Sequence, residues 1–151
     1  METVLVKANQ TSQHSQIGQF LSQNCRYFSQ EKLVSLNDYE RISEETLDQL
    51  SEYFENVFED IENDELDINY SSGVMTMNLG KKKGTYVINK QSPNRQIWLS
   101  SPTSGPKRYD FINGQWIYSH DGSNLYDLLQ NELSAALNIP IDLSCMNYHG
   151  K

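Results

Sequence analysis

Apolar positions along the chain repeat with a helical period at both ends of a central region that alternates like β-strands. Between Asp38 and Ile61 they recur every three or four residues without an interrupting Gly or Pro, which predicts a long amphipathic helix. Asn37 or Asp38 is the expected N-cap of this helix. Its predicted buried stripe consists of Tyr39, Ile42, Leu47, Leu50, Tyr53, Phe54, Val57 and Ile61.

After Asp67 the pattern changes to short alternating runs separated by turn residues, of which Asn113-Gly114 is the strongest hairpin signal. Ser123 is then the expected N-cap of a second helix that continues to about Asn138. The predicted strands are Leu66–Tyr70, Val74–Leu79, Thr85–Lys90, Arg95–Ser100, Lys107–Phe111 and Gln115–Tyr118.

Short connections between consecutive strands require an antiparallel sheet, and two helices cover only one of its faces. The predicted fold class is therefore α+β, a two-layer α-β sandwich with two helices on one face of a five- to six-stranded antiparallel sheet. The other face must meet water.

The strand Arg95–Ser100 predicts an unusual residue on that open face. If Ile97 and Leu99 point toward the helices, Trp98 points away from them. An exposed Trp surrounded by Asn, Gln and Arg has the composition of a protein–protein hot spot. The alternative is a Trp covered by a loop, whereas Trp116 is expected in the core or at its edge.

Composition and charge exclude several classes of protein. The chain has 151 residues, enough for one domain with one core, and a net charge of -8 that argues against nucleic-acid binding. Mean hydropathy is -0.65, and no apolar run is long enough to span a membrane. Two cysteines, Cys25 and Cys145, are too few for a disulfide framework or a thiolate zinc site.

The negative charge is concentrated on the first helix and the residues after it. Between Glu31 and Asp67 there are fourteen acidic residues and two basic ones, whereas Ile68 to Lys151 carries a net charge of +3. A surface of carboxylates without Cys or His suits hard cations, including ferrous iron, bound weakly at several sites. A solubilising helix face is the alternative. Like-charge repulsion also predicts that replacing Glu44, Glu45 and Asp48 by Lys raises stability.

Residues 1–30 differ in composition from the rest and contain Arg26-Tyr27-Phe28-Ser29, which resembles a mitochondrial presequence cleavage site. A disordered leader is the alternative for this segment. Elsewhere the chain has no P-loop, GxGxxG, HExxH, GxSxG or CxxC motif, and we predict no catalytic residues. The pattern favours a binding or regulatory protein.

Residues 36–151 resemble frataxins, and animal-type mitochondrial ones most. The resemblance is strongest in Gly84–Gln91, Pro93–Pro102 and Ser104–Asp110, and it extends to Tyr39–Arg41, Glu44–Asp48 and Tyr118–Gly122. It implies a frataxin-like domain in the mitochondrial matrix, monomeric in isolation, that binds the cysteine desulfurase complex with its iron–sulfur scaffold protein and speeds persulfide transfer to the scaffold. The resemblance implies an allosteric activator rather than an enzyme, although the family is also credited with weak ferroxidase activity.

The resemblance also implies two sets of site residues. The first set would bind Fe2+ and, as a secondary ion, Fe3+. We call it the acidic surface, and it consists of Glu40, Glu44, Glu45, Asp48, Glu52, Glu55, Glu59 and Asp67. The scaffold would contact the open sheet face: Asn89, Gln91, Gln96, Trp98 and Arg108. Asn56 stands where the family often has another acid, and the basic loop Lys81–Lys83 has no role that the family predicts.

A different class of function stays open at this point. An iron chaperone or iron-storage protein with weak ferroxidase activity would use the same carboxylates. Ferritin-like oxidation, however, relies on Glu-x-x-His pairs inside a helical bundle, and this chain has no such pair.

Overall fold

The helices and strands of residues 33–150, the part of the chain described by the computed structural model, follow the predicted order. The predictions for residues 1–30 lie outside the described residues. No helix within residues 33–150 has the length and apolar character needed to cross a membrane. The elements are α1 (Leu36–Glu59), β1 (Leu66–Ser71), β2 (Val74–Leu79), β3 (Thr85–Gln91), a short 3-10 turn (Ser92–Asn94), β4 (Gln96–Ser101), β5 (Gly105–Ile112), β6 (Gln115–Tyr118) and α2 (Leu125–Leu137).

The six strands form one antiparallel sheet in which each strand pairs with the next along the chain. Asn113 and Gly114 both have positive φ angles, 50° and 80°, as the predicted two-residue hairpin requires. The two helices pack on one face of this sheet, so the predicted α-β sandwich is confirmed, with six strands.

The core lies between the helices and the inner face of the sheet. Trp116 is fully buried, as predicted, and its Nε1 donates a 2.9 Å hydrogen bond to Oγ1 of Thr46 on α1. The hydroxyl of Tyr39 accepts from the backbone N–H of Gln91 at 2.9 Å and donates to the carbonyl of Gln96 at 2.8 Å. Tyr39 thereby fixes the N-terminal half of α1 to the ends of β3 and β4.

Both predicted N-caps are wrong by one to three residues. The hydroxyl of Ser35 accepts from the backbone N–H of Asp38 and donates to its carboxylate, so α1 begins two or three residues earlier than expected. Asn124 rather than Ser123 caps α2, because its side-chain oxygen accepts from the backbone N–H of Tyr126. At the other end α1 stops at Glu59.

The chain after α2 fills the groove beside the two helices without forming a helix or strand itself. Ile141 and Leu143 are buried in the core. The backbone N–H of Asp142 donates to the Tyr53 hydroxyl at 3.1 Å, and that of Asn147 donates to Oε1 of Gln49 at 3.0 Å. These bonds hold the segment along α1, a placement that hydrophobic periodicity did not predict.

Candidate functional site

The five residues predicted on the open sheet face lie together in one patch. Trp98 on β4 stands directly between Asn89 on β3 and Arg108 on β5 in the strand register. Gln91 and Gln96 form the next cross-strand pair. Side chains directly opposite one another on adjacent strands are in contact range. We call these five residues the tryptophan patch.

Hydrogen bonds and a cation–π contact hold the tryptophan patch in place. The Trp98 Nε1 donates to Oε1 of Gln96 at 2.9 Å, and the Nε2 of Gln96 donates to Oδ1 of Asp110 at 2.8 Å. The Arg108 guanidinium carbon lies 4.5 Å from the centroid of the Trp98 ring. Trp98 is therefore half-buried rather than fully exposed, and its ring is fixed before any partner binds.

Asp110 belongs to this surface, although the pattern of the sequence did not single it out. It faces the same side as Arg108, two residues earlier on β5, so strand alternation was the signal that could have found it. Together these side chains surround one indole with a cation, an anion and hydrogen-bonding amides. This combination suits recognition of a protein surface.

The carboxylates at the N-terminal end of the acidic surface are paired with a lysine. The Nζ of Lys90 lies 2.8 Å from Oε2 of Glu40 and 2.8 Å from Oε2 of Glu44. The remaining oxygens accept from Ser92, at 2.5 Å, and from the hydroxyl of Tyr70, at 2.8 Å. These bonds, those from Lys90 above all, hold the pKa of both glutamates below its usual value.

Glu45 has hydrogen-bond and ion-pair partners of its own. Its carboxylate accepts from the Tyr148 hydroxyl and pairs with Arg41 at 3.1 Å, while Arg41 also donates to Tyr148 at 3.1 Å. The hydrogen bond from Tyr148, followed by that from Arg41, lowers the pKa of Glu45. The C-terminal segment thus contacts the acidic surface directly.

The distal carboxylates of α1, by which we mean Asp48, Glu52, Glu55 and Glu59, are all exposed. Within residues 33–150, Glu55 accepts one hydrogen bond, from Ser51 at 3.1 Å, and no side-chain donor reaches the other three. No three His, Cys, Asp or Glu side chains of residues 33–150 converge closely enough to hold a metal ion. A cation on this surface would meet carboxylates spread along a helix rather than a preformed cage.

Asp67 is separated from the other predicted ligands by the sheet. It pairs with Asn78 in the register of β1 and β2, while its neighbours Leu66 and Ile68 face the helices. Strand alternation therefore places the Asp67 side chain on the open face. It does not join the carboxylates of α1 in one surface.

Three lysines, two histidines and a cysteine elsewhere in residues 33–150 do not come together in a reactive site. Lys81–Lys83 are exposed in the turn between β2 and β3. His120 is exposed in a turn, whereas His149 is largely buried, with its Nε2 3.3 Å from the Asp127 carboxylate and its ring stacked on Tyr126. Cys145 is a free, exposed cysteine.

Comparisons with known proteins agree with this architecture. The protein-family model described as "Frataxin-like domain" matches residues 32–139 of this chain. The chain is 56% identical over 104 residues to the mitochondrial frataxin homolog of Drosophila melanogaster, covering 66% of this chain and 55% of that protein. It is 48% identical over 108 residues to mitochondrial frataxin of Caenorhabditis elegans, covering 70% of this chain and 79% of that protein. The chain thus spans little more than half the length of the Drosophila relative.

Two solved structures show the same fold. Yeast frataxin superposes with a TM-score of 0.61 at 33% identity, covering 91% of this chain and 98% of that one. Trimeric frataxin from Saccharomyces cerevisiae, complexed with ferrous, gives a TM-score of 0.58 at 43% identity, covering 64% of this chain and 85% of that one.

Proposed function

The chain belongs to the frataxin family, and on that premise we propose that it is an iron–sulfur cluster assembly factor. In this proposal it binds the cysteine desulfurase complex together with the scaffold protein and accelerates transfer of persulfide sulfur to a scaffold cysteine. The mitochondrial names of its relatives support a mitochondrial location, and we propose that it works in the matrix as a monomer.

The tryptophan patch is the observation that carries this proposal. A half-buried indole fixed by Gln96 and covered by Arg108 is preorganised, so little side-chain entropy is lost when a partner binds. The residues around the indole are polar, which favours a reversible rather than a permanent complex with the partner. We propose that Trp98 packs against the metal-site loop of the scaffold.

The acidic surface would contribute long-range electrostatic attraction to a partner rather than shape complementarity. The exposed carboxylates of α1 would draw the protein toward a basic groove of the desulfurase, raising the association rate and making it sensitive to salt. Because the tryptophan patch and α1 lie on opposite layers of the sandwich, the two partners would not compete for one surface.

Stimulation would follow from binding alone. A protein that binds one arrangement of the scaffold loop better than the others shifts the population toward that arrangement. If the favoured loop presents its cysteine to the persulfide, transfer becomes faster. No side chain of this protein would donate an electron or act as a nucleophile in this scheme.

Iron would be a cargo or a modulator of this protein. Fe2+ would bind weakly along the exposed carboxylates of α1, with Fe3+ as a secondary ligand. The alternative function, an iron chaperone or storage protein with weak ferroxidase activity, is favoured by one observation: a yeast relative is a trimer complexed with ferrous.

Replacing the indole tests the proposed partner surface. Trp98→Ala should remove most of the stimulation of desulfurase turnover while leaving the circular dichroism spectrum unchanged. Asn69→Ala is the matched control, because Asn69 is exposed on β1 of the same face, three strands away. Stimulation retained by the Trp98 variant would contradict the proposal.

A further inference from the structure

The contacts of Lys90 divide the acidic surface into two parts with different chemistry. All four carboxylate oxygens of Glu40 and Glu44 already have a donor from this chain: Lys90 at one oxygen of each, and Ser92 or Tyr70 at the other. A divalent cation that bound these oxygens would have to displace a positive charge and two hydroxyl donors.

Lys90 is held in this position by its surroundings. It lies at the end of β3 on the helix-facing side, paired with Ile97 of β4, and its side chain is only 13% exposed. Its stem runs over Gly73, where an added Cβ would come within 3.3 Å of the Lys90 Cδ. The ammonium group therefore cannot move far into solvent without losing packing along its stem.

The distal carboxylates of α1 have no such internal cation. Within residues 33–150 no lysine or arginine lies within ion-pair distance of Asp48, Glu52, Glu55 or Glu59. Their negative charge is left for an external ligand, whereas Lys90 offsets one of the two negative charges of Glu40 and Glu44.

We propose that Lys90 is a built-in competitor that keeps divalent cations off Glu40 and Glu44 and leaves cation binding to the distal carboxylates. This inference rests on the proposed weak binding of Fe2+ to the acidic surface, and it specifies where on that surface the ion binds. It assigns Glu40 and Glu44 a different role from the one the resemblance implies, namely joining α1 to β3.

The test compares Mn2+ binding by the 151-residue chain and by two variants that each remove one positive charge. Lys90→Gln frees the two glutamates, while Lys82→Gln removes an exposed lysine of the β2–β3 turn. Lys90→Gln should bind Mn2+ about tenfold more tightly, or bind one additional ion, because the competing charge at contact distance is gone. Lys82→Gln should change affinity less than about twofold, because exposed charges at a distance are screened.

A triple variant locates the gain. Adding Glu40→Gln and Glu44→Gln to Lys90→Gln should return the affinity to that of the unmodified chain. Equal affinity of the Lys90 and Lys82 variants, or a gain that survives the triple substitution, would overturn the inference.

Nuclear magnetic resonance of the unmodified chain with added Mn2+ tests the inference without requiring that any variant folds. Paramagnetic broadening by Mn2+ should reach the amide signals around Asp48 and Glu52 at lower ion concentrations than those around Glu40, Glu44 and Lys90. The reverse order would overturn the inference about Lys90 but would leave the proposed cation binding by the acidic surface standing. Absence of binding by the unmodified chain and by every variant would contradict the proposed iron-binding surface, and the inference with it.

Discussion

The guanidinium of Arg108 lies over the indole of Trp98, with its central carbon 4.5 Å from the ring centroid. The two residues are direct cross-strand partners on β4 and β5, so the sheet register itself brings them together. The indole of the tryptophan patch therefore carries a cation on its face, and the chemistry of this patch depends on both residues.

Arg108→Gln should weaken binding to the desulfurase–scaffold complex by about 2- to 5-fold, because the indole is then no longer held in place by the cation over its face before the partner binds. Arg108→Lys keeps the charge but lacks the planar group that stacks on the ring. Affinity measured by surface plasmon resonance should place the Lys variant between the Gln variant and the unmodified chain. Equal affinity of all three proteins would contradict a role for the Arg108–Trp98 pair.

Thr46→Val should destabilise the protein by about 1–3 kcal/mol, because it leaves the buried Nε1 of Trp116 without an acceptor. Urea unfolding measures this cost. Thr46→Ser is the matched control, since it keeps the hydroxyl and removes only a methyl group. If the Ser variant is less stable than the Val variant, packing rather than the hydrogen bond dominates at this position.

Neutralising single acids of α1 should have opposite effects on stability at two positions. The expectation that Lys at positions 44, 45 and 48 stabilises the helix assumed unpaired acids, and this premise is wrong for Glu44 and Glu45, which have ion-pair partners. Glu44→Gln should lower the free energy of unfolding by about 0.5–1 kcal/mol, a figure reduced for the half-exposed carboxylate.

Asp48→Asn is the counterpart to Glu44→Gln, because within residues 33–150 no ion-pair partner faces it while acids lie one turn away on either side. It should leave stability unchanged or raise it slightly. Thermal denaturation of both variants at low ionic strength decides the question, and a shift of the same sign in both would contradict the division of the acidic surface.

The Lys90 contacts also predict how stability depends on pH. In the folded protein the pKa of Glu40 and of Glu44 lies below the ordinary value of 4.5. The folded state therefore binds fewer protons than the unfolded state near that pH, so this stabilisation is complete above 4.5 and is lost as pH falls through the lowered pKa.

Lys90→Met removes the main cause of that shift. The difference in unfolding free energy between the unmodified chain and this variant should be largest near about pH 7 and should shrink below about pH 4. Denaturant unfolding measured across this range tests the sign. A difference that grows with acidification would show that Lys90 stabilises the fold through something other than the two carboxylates.

Local patterns predicted the strands well and the partnerships of charged residues poorly. Val74–Leu79 and Gln115–Tyr118 begin and end where the alternation and turn residues predicted. Alternation also placed Trp98 on the correct face. Such inferences need only neighbouring residues, and the register then follows from two-residue turns such as Asn113-Gly114.

The pairing of Lys90 with Glu44 joins residues 46 positions apart, and no local signal indicates it. Lys90 lies on β3, a strand that alternation predicted, yet its side chain contacts the acidic surface on the other layer. The buried segment around Leu143 was missed for a related reason, because it has no regular period and is fixed by hydrogen bonds from its backbone to the side chains of Tyr53 and Gln130.

We propose that this protein activates sulfur transfer by binding, with iron as a modulator. The most direct test of this proposal is cysteine desulfurase turnover in the presence of the scaffold protein, measured with and without this protein in iron-free buffer and again with added ferrous iron. We expect stimulation in iron-free buffer, and ferrous iron should change it only modestly. Stimulation that appears only when ferrous iron is supplied would contradict the proposal and favour the iron chaperone.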